Sequence, residues 1–302
     1  MKLKNSITLV LLLMSTLSFS QIVKLDSTSY WKKSFRGGLN FNQAAFSSNW
    51  TGGGINSIGF NAALNYKANY KKDKHSWDNT IDLLYGFVNN DGQGFRKTLD
   101  RIFIDTKYGY QLSEKWSAYV SMNILSQFAQ GYKYEKDVNG VEQSILISDF
   151  MAPGYITNSW GFQYQPVDYF FIRLSPFSPR MTIVRDSENY IAVDPDRPYG
   201  VKVGETTRLE WLAFQLVSEF DKDIAKNLNL GMRYIMYANY ETLELKTIDH
   251  RFEARLTAKV NKFIDVNLGG IMLYDYDQDA GAQFTQVFSL GFLYSIQNFA
   301  PE

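Results

Sequence analysis

The sequence predicts an all-β protein, a single antiparallel transmembrane β-barrel of about twelve strands, with ten or fourteen as alternatives. Three observations predict it. Apolar and polar residues alternate over segments of about 11 to 15 residues, short connections alternate with longer ones, and aromatic residues flank several short connections. Tilted membrane-spanning strands need about 9 to 11 residues, whereas strands in soluble proteins average about 5 or 6. The segment length therefore favours the barrel over a soluble β-sandwich.

Composition excludes several other classes of protein. The 302 residues include no cysteine, 16% aromatic residues, and 31 basic against 31 acidic residues, at a mean hydropathy of −0.26. No apolar run approaches the roughly 18 residues of a transmembrane helix. The balanced charge gives no electrostatic footprint for nucleic acid, so no nucleic-acid partner is expected. The lack of cysteine excludes disulfides, a thiolate nucleophile and a cysteine zinc site.

The first twenty residues are expected to be a secretory signal peptide. Two lysines precede a mostly apolar stretch at 7–17, and Ser18 and Ser20 supply small residues before Gln21. This three-part pattern is typical of export, and the apolar stretch is too short to span a bilayer. We therefore expect an exported protein of the Gram-negative outer membrane, in contact with outer-membrane lipid.

Domain bounds follow from the same reading. Residues 1–20 are assigned to the signal peptide, 21–33 to a short periplasmic N-terminal segment, and 34–299 to the barrel. The expected strands lie near 34–46, 56–70, 76–88, 99–112, 116–130, 155–164, 169–184, 206–220, 228–240, 248–260, 263–277 and 283–297. An even strand number places both ends of the barrel on the periplasmic side.

Alternation is clearest in the second segment. Ile58, Phe60 and Leu64 share one face, while Asn61 and Asn65 share the other. Successive strand side chains point to opposite sides, so one face meets an apolar medium and the other a polar one. In an outer-membrane barrel the apolar face meets lipid and the polar face lines the lumen.

The sixth to eighth segments are the weakest strands of the prediction, and Pro176 and Pro179 interrupt the seventh, since proline cannot donate to a central ladder. We expect a kink above the membrane there. The connections expected to be long and external lie at 47–55, 89–98, 131–154, 185–205, 241–247 and 278–283.

The final strand carries a signal for assembly. Residues 289–296 read Ser-Leu-Gly-Phe-Leu-Tyr-Ser-Ile, which is similar to the C-terminal pattern read by the outer-membrane β-barrel assembly machinery. That similarity implies this machinery as a partner during biogenesis. Any amphipathic strand with one glycine can also match, and here Ala300, Pro301 and Glu302 follow the terminal aromatic Phe299.

Several local motifs resemble domain-of-unknown-function family 3078 (DUF3078), a family of outer-membrane barrels of Bacteroidota. The motifs are Asn-Trp-Thr-Gly-Gly at 49–53, Trp-Asp-Asn at 77–79, Arg-Lys-Thr-Leu-Asp-Arg at 96–101, Lys-Tyr-Gly at 107–109 and Phe-Ala-Gln-Gly-Tyr at 128–132. The resemblance implies the barrel and its location, and it implies no activity.

Charged residues on the expected lumen face are the candidate functional residues. They are Asp78, Asp82, Arg101, Asp105, Lys107, Arg233, Arg251, Glu253, Arg255, Lys259, Asp265 and Asp275. They predict either a pore lining that selects small polar solutes or a lattice of salt bridges that fills a narrow barrel. The first favours a passive channel. The second favours a non-conducting structural or accessory subunit that contacts neighbouring outer-membrane proteins.

Catalysis is the least favoured function. A membrane-embedded lipid hydrolase or acyltransferase would need a histidine with a nucleophile, and only His75 and His250 are present, without a serine at a suggestive spacing. The acidic stretch 275–281 lacks the glycine and glutamate positions of a calcium loop. We therefore expect no enzyme activity, no cofactor and no metal site.

Overall fold

Strands form almost all of the regular secondary structure in a computed structural model that describes residues 29–44, 56–261 and 264–298. The strands in these ranges are β1 (Trp31–Ala44), β2 (Ser57–Lys72), β3 (His75–Asn90), β4 (Gly94–Gln111), β5 (Trp116–Ser126), β6 (Gly131–Lys136), β7 (Glu142–Ser148), β8 (Gly154–Val167), β9 (Phe170–Phe177), β10 (Arg180–Ile183), β11 (Thr207–Glu210), β12 (Ala213–Ala225), β13 (Leu228–Asn239), β14 (Asp249–Lys259), β15 (Ile264–Asp275) and β16 (Asp279–Gln297). Short 3-10 helices occupy Ser187–Tyr190, Pro198–Gly200 and Leu245–Thr247. No helix in the described ranges is long and apolar enough to cross a membrane. The expected signal peptide, residues 1–20, lies outside the described residues.

Twelve strands close into one antiparallel ring. Their order is β1-β2-β3-β4-β5-β8-β9-β12-β13-β14-β15-β16, and β16 pairs with β1 to complete the circle. Strands β8 and β9 form a hairpin across a short turn and pair with each other, so the ring has no gap between them. The predicted fold class, an antiparallel barrel of about twelve strands, is confirmed.

The two prolines interrupt one hairpin without changing its register. Strand β9 ends at Phe177, and β10 resumes at Arg180 after Ser178 and Pro179. Pairs on the two sides of the break, such as Ser175 with Gln215 and Arg180 with Glu210, keep the same offset. Strands β9 and β10 are therefore two pieces of one bent strand, and β11 and β12 are two pieces of the strand that pairs with it. The interruption occurs where the prolines predict it, because proline lacks the backbone N–H that a ladder requires.

One end of the barrel has short turns and the other has the long connections. Two connections expected to be long, at 89–98 and 278–283, are instead tight turns at 91–93 and 276–278. That part of the prediction was wrong. At the first turn, Gly92 and Gly94 adopt φ angles of 77° and 72°, a conformation that glycine enters without steric cost.

The outer surface is apolar and carries aromatic residues near the short turns. Phe284 and Phe288 on β16 are each 71% exposed. Trp77 lies directly opposite Tyr70 across the β2–β3 hairpin. An apolar outside with polar side chains inside is the reverse of a soluble protein.

Two long connections pack together at the other end. The β6–β7 hairpin belongs to the connection between β5 and β8, and residues 184–206 join β10 to β11. A small buried core of both connections contains Ala152, Val184, Tyr190, Tyr199 and Val201. We call this unit the cap.

Candidate functional site in the barrel interior

Strand register determines which charged side chains share the inward face. Arg101, Asp105 and Lys107 alternate along β4, opposite Leu84, Thr80 and Asp78 of β3. The same alternation along the other strands puts all twelve candidate residues on the inward phase, the remaining ones being Asp82, Arg233, Arg251, Glu253, Arg255, Lys259, Asp265 and Asp275. Their role as the lining of a pore stays a prediction.

One ion pair crosses the interior from wall to wall. The guanidinium of Arg101 on β4 donates to Glu253 on β14, with 3.1 Å between Nη1 and Oε1. Strands β4 and β14 lie opposite each other in the ring, with five strands between them on either side. Arg101 also pairs with Asp82, and Arg251 Nε donates to Glu253 Oε1 at 2.6 Å. This cross-lumen pair divides the interior into two halves.

The half formed by β5, β8, β9, β12 and β13 contains most of the buried polar side chains of the ring, and we call it the crowded half. Buried polar residues on these strands are Ser121, Ser126, Thr157, Ser159, Gln163, Arg173, Ser175, Gln215 and Asn239. Several bond across strands that are not neighbours. The hydroxyl of Tyr119 on β5 contacts that of Ser175 on β9, and Ser159 on β8 donates to Gln215 on β12 at 3.1 Å.

Ion pairs join the crowded half to β4. Arg173 Nη1 lies 3.5 Å from Asp105 Oδ2, and Arg173 Nε donates to Gln163 at 3.1 Å. The ammonium of Lys107, 4% exposed, donates to the same Gln163 oxygen at 2.7 Å and lies 3.0 Å from Asp78. Each buried charge here has an opposite charge or an amide as partner, as burial requires.

The half formed by β15, β16, β1, β2 and β3 contains far fewer buried polar side chains, and we call it the sparse half. In the described parts of these strands, the buried polar side chains are Asp265, Asp275 and Ser289. Glycines such as Gly38 and Gly269 occupy inward positions. Space is therefore left beside this wall.

Cations in and beside the sparse half face the interior yet remain accessible. Arg36 on β1 pairs in register with Asn65, and Lys67 follows on the same face of β2. Arg255 has the same phase as Glu253 on β14 and is exposed, as is Arg36. In the described part of the chain, none of these three cations has an ion-pair partner. Exposure of these inward side chains means that water reaches them inside the barrel wall.

A cavity of about 410 Å³ lies between the cross-lumen pair and the cap. Arg101 and Arg173 line it toward the short turns, whereas Ile147 and Tyr199 of the cap line it on the other side. Burial raises the pKa of Tyr199, whose hydroxyl donates to the carbonyl oxygen of Ile147. The aliphatic and phenylalanine side chains of the lining are Leu84, Leu99, Phe103, Leu125, Ile147, Val217, Ile235, Ile271 and Leu273.

Two arginines of the cavity have unused hydrogen-bonding capacity. Among the described residues, Arg233 makes no hydrogen bond; its nearest carboxylate, Glu219, is 4.0 Å away, and its guanidinium lies 4.8 Å from the ring centre of Phe103. Arg251 uses only Nε, toward Glu253. Each guanidinium group carries five N–H donors, so both arginines can donate hydrogen bonds to an additional anionic partner.

Carboxylates outnumber cations at the cap end of the cavity. Arg180 pairs with Asp249 at 2.8 Å, and Arg208 pairs with both Glu210 and Asp277. Asp275 accepts hydrogen bonds from the Gln278 amide and the Asp277 backbone N–H, and no cation of the described chain lies within ion-pair distance of it.

Each of the two histidines contacts a tyrosine hydroxyl. His75 Nδ1 lies 2.6 Å from the hydroxyl of Tyr108, and His250 Nδ1 lies 2.8 Å from that of Tyr234. Both contacts are with tyrosine on neighbouring strands. Within the described residues, no group of three or more His, Asp or Glu side chains could hold a metal ion.

Sequence reasoning missed several interior residues. Arg173, Arg180, Tyr119 and Tyr237 all line the cavity. Arg173 precedes the proline break and Arg180 follows it, and no continuous alternation assigns a face there. Alternation along their strands also places Tyr119 and Tyr237 on the inward face, but the predicted site residues were restricted to charged side chains.

Comparison with known families gives a match over part of the chain. Residues 41–132 match the family described as "Protein of unknown function (DUF3078)". The resemblance predicted from the local motifs is thereby confirmed over that stretch, which runs from β1 into β6. A search of curated proteins gives no match.

Solved structures with some similarity are outer-membrane proteins. An outer membrane channel from Pseudomonas putida F1 is 9% identical, with a TM-score of 0.38, covering 90% of this chain and 99% of that one. The NanC porin is 8% identical, with a TM-score of 0.37, covering 87% and 97%. The CymD monoaromatic hydrocarbon channel is 10% identical, with a TM-score of 0.34, covering 88% and 87%.

Proposed function

We propose that the protein is an outer-membrane β-barrel channel through which small polar solutes diffuse along the sparse half of the lumen. The observation that carries this proposal is the exposure of inward-facing cations, above all Arg36 and Arg255. A barrel whose interior is filled only for stability would pair such charges with opposite ones, because unpaired charges away from water are costly. Water beside these side chains provides the path that a polar solute needs.

Location in the outer membrane is part of the same proposal. Large apolar side chains cover the outer face, and the ring of Trp116 lies tilted beside that of Tyr164, with 4.9 Å between the ring centroids, next to a short turn. Aromatic side chains at that level suit a membrane interface. Export by the signal peptide at 1–20, insertion by the assembly machinery and contact with outer-membrane lipid belong to this proposal.

Cysteine accessibility during current recording tests the route. The chain contains no cysteine, so an introduced one is the sole thiol. We choose Asn65→Cys on the inward face of β2 in the sparse half, and the matched Ser159→Cys, whose parent side chain is 1% exposed in the crowded half. In planar bilayers, a bulky water-soluble thiol reagent is expected to reduce the current through Asn65→Cys and leave Ser159→Cys unchanged.

Two results would overturn this proposal. The first is electrical silence of a correctly folded, bilayer-inserted protein. The second is an equal response of the two cysteine variants, which would mean that the current does not run along the sparse half.

A non-conducting accessory barrel is the second candidate. The Arg101–Glu253 pair across the lumen and the cap over one end favour it, because both restrict passage. Silence of both the parent protein and Glu253→Gln in the bilayer experiment would favour this candidate over the channel.

A further inference from the structure

We propose that the interior cavity binds a zwitterionic amino compound with an apolar body, of the size of an apolar dipeptide. This inference deepens the proposed function by naming its solute class, and it rests on that function only for transport. Binding itself can be measured separately. Three features of the cavity support it: volume, apolar walls and opposite charge character at two ends.

Volume and lining suit a small organic ligand. About 410 Å³ falls within the range of roughly 300–1,000 Å³ typical of ligand pockets. Leu84, Ile235, Ile271 and Leu273 supply apolar contact area from several strands. Such a surface adds little for an inorganic ion, whereas it binds aliphatic side chains by excluding water.

The middle of the barrel provides the anion-binding end. Arg233 lies directly opposite Glu253 in the β13–β14 register, and Arg251 lies two residues from Glu253 on the same face. Arg233 has no hydrogen-bond acceptor among the described residues, and the Nη atoms of Arg251 have none either. A ligand carboxylate would satisfy these donors in the paired geometry that guanidinium groups favour.

The cap end provides the cation-binding end. Pairing of His250 with Tyr274 brings Asp249 and Asp275 to adjacent positions on β14 and β15. Both line the cavity, and Arg180 is ion-paired with Asp249 alone. A ligand ammonium would compensate the carboxylate of Asp275, which accepts hydrogen bonds from Gln278 and the Asp277 backbone and is attracted by Arg180 only from beyond ion-pair distance.

Spacing between the two ends sets the ligand length. Arg251 and Asp249 are two residues apart on one strand, so their Cα atoms are separated by roughly 7 Å. An extended dipeptide spans about the same distance from end to end, at roughly 3.5 Å per residue. A dipeptide therefore places its carboxylate toward Arg251 and its ammonium toward Asp275, with its side chains against the aliphatic wall.

Calorimetry on the purified full-length protein in detergent tests the site. The probes are leucylleucine, its N-acetyl derivative and its C-terminal amide. We expect leucylleucine to bind and each blocked form to bind at least about tenfold more weakly, since each leaves one charged group of the cavity unpaired. Equal binding of the zwitterion and either blocked form would overturn the proposal, as would the absence of binding by leucylleucine.

Variants assign the two ends of the ligand. Arg251→Gln is expected to weaken leucylleucine at least about tenfold while changing the C-terminal amide little. Asp275→Asn is also expected to weaken leucylleucine at least about tenfold, but it should leave binding of the N-acetyl form unaffected. Arg197→Gln and Asp196→Asn, both at exposed positions of the long connection, are the matched controls and should bind as the parent does.

Binding and conduction can fail independently. Dipeptide binding by an electrically silent barrel would retain this site and remove the channel. Conduction without dipeptide binding would retain the channel and remove this site.

Discussion

The crowded and sparse halves of the interior are built from strands of the same kind and are filled differently. In the crowded half, Tyr119 and Ser175 join strands that are not neighbours, and Arg173 reaches Asp105 on β4. In and beside the sparse half, Arg36 and Arg255 face inward and remain exposed. Alternation therefore gives the barrel a polar interior but does not determine how tightly that interior is packed. Side-chain length and the position of glycine decide whether that interior becomes a packed wall or a wet path.

The largest expected effect comes from glycines in the two halves. A Cβ at Gly161 on β8 would overlap the backbone carbonyl of Leu174, whereas one at Gly269 on β15 would find its nearest atom 3.9 Å away. Gly161→Ala should therefore lower the free energy of unfolding by about 3 kcal/mol. Gly269→Ala should change it by less than about 0.5 kcal/mol. Urea titration of vesicle-inserted protein measures both, and equal losses would remove the distinction between the halves.

The next effect concerns the pair that divides the halves. Glu253→Gln leaves Arg101 and Arg251 without their shared charge, and we expect a loss of about 2 kcal/mol, below the 3–5 kcal/mol of fully buried pairs because both partners are partly exposed. Single-channel conductance should rise, since the cross-lumen attraction is weakened. Glu219→Gln is the control, as its separation from Arg233 is 4.0 Å. Unchanged stability and conductance in Glu253→Gln would mean that the pair neither stabilises the barrel nor restricts conduction.

The smallest stability effect compares two inward lysines. Lys107→Met in the packed region removes the partner of Asp78 and should cost about 1.5 kcal/mol. Lys67→Met on β2 should leave stability unchanged, because Lys67 has no ion pair among the described residues. It should instead lower the ratio of anion to cation permeability, because it removes a positive charge from the proposed path. Unfolding titrations and reversal potentials in a salt gradient measure the two outcomes. A selectivity change in Lys107→Met alone would relocate the path to the crowded half.

Much of the fold could be predicted because its signals are local. Alternation identified the barrel strands, and Pro176 and Pro179 marked the break between β9 and β10. The connections at 89–98 and 278–283 were misjudged, because polar and glycine residues there continue the strands up to tight turns. Loop composition resembles that of a polar strand end, so a sequence of this kind gives little information on where pairing stops.

Less of the candidate site could be predicted. Charged residues such as Arg251 and Asp275 were selected by phase, but Arg173 and Arg180 were missed beside the proline break. The cap core was missed as well, since Val184, Tyr199 and Val201 lie in a connection without periodicity.

The alternating pattern alone predicts the barrel and the chemical character of its two faces. A two-residue period requires only that neighbouring side chains point in opposite directions, which is a property of the extended backbone. Which inward charges meet depends on closure of the ring, because closure brings together Arg101 and Glu253, which are 152 positions apart. The same closure left Arg233 and Asp275 with unmet bonding capacity around one cavity, and no local pattern encodes such a distance.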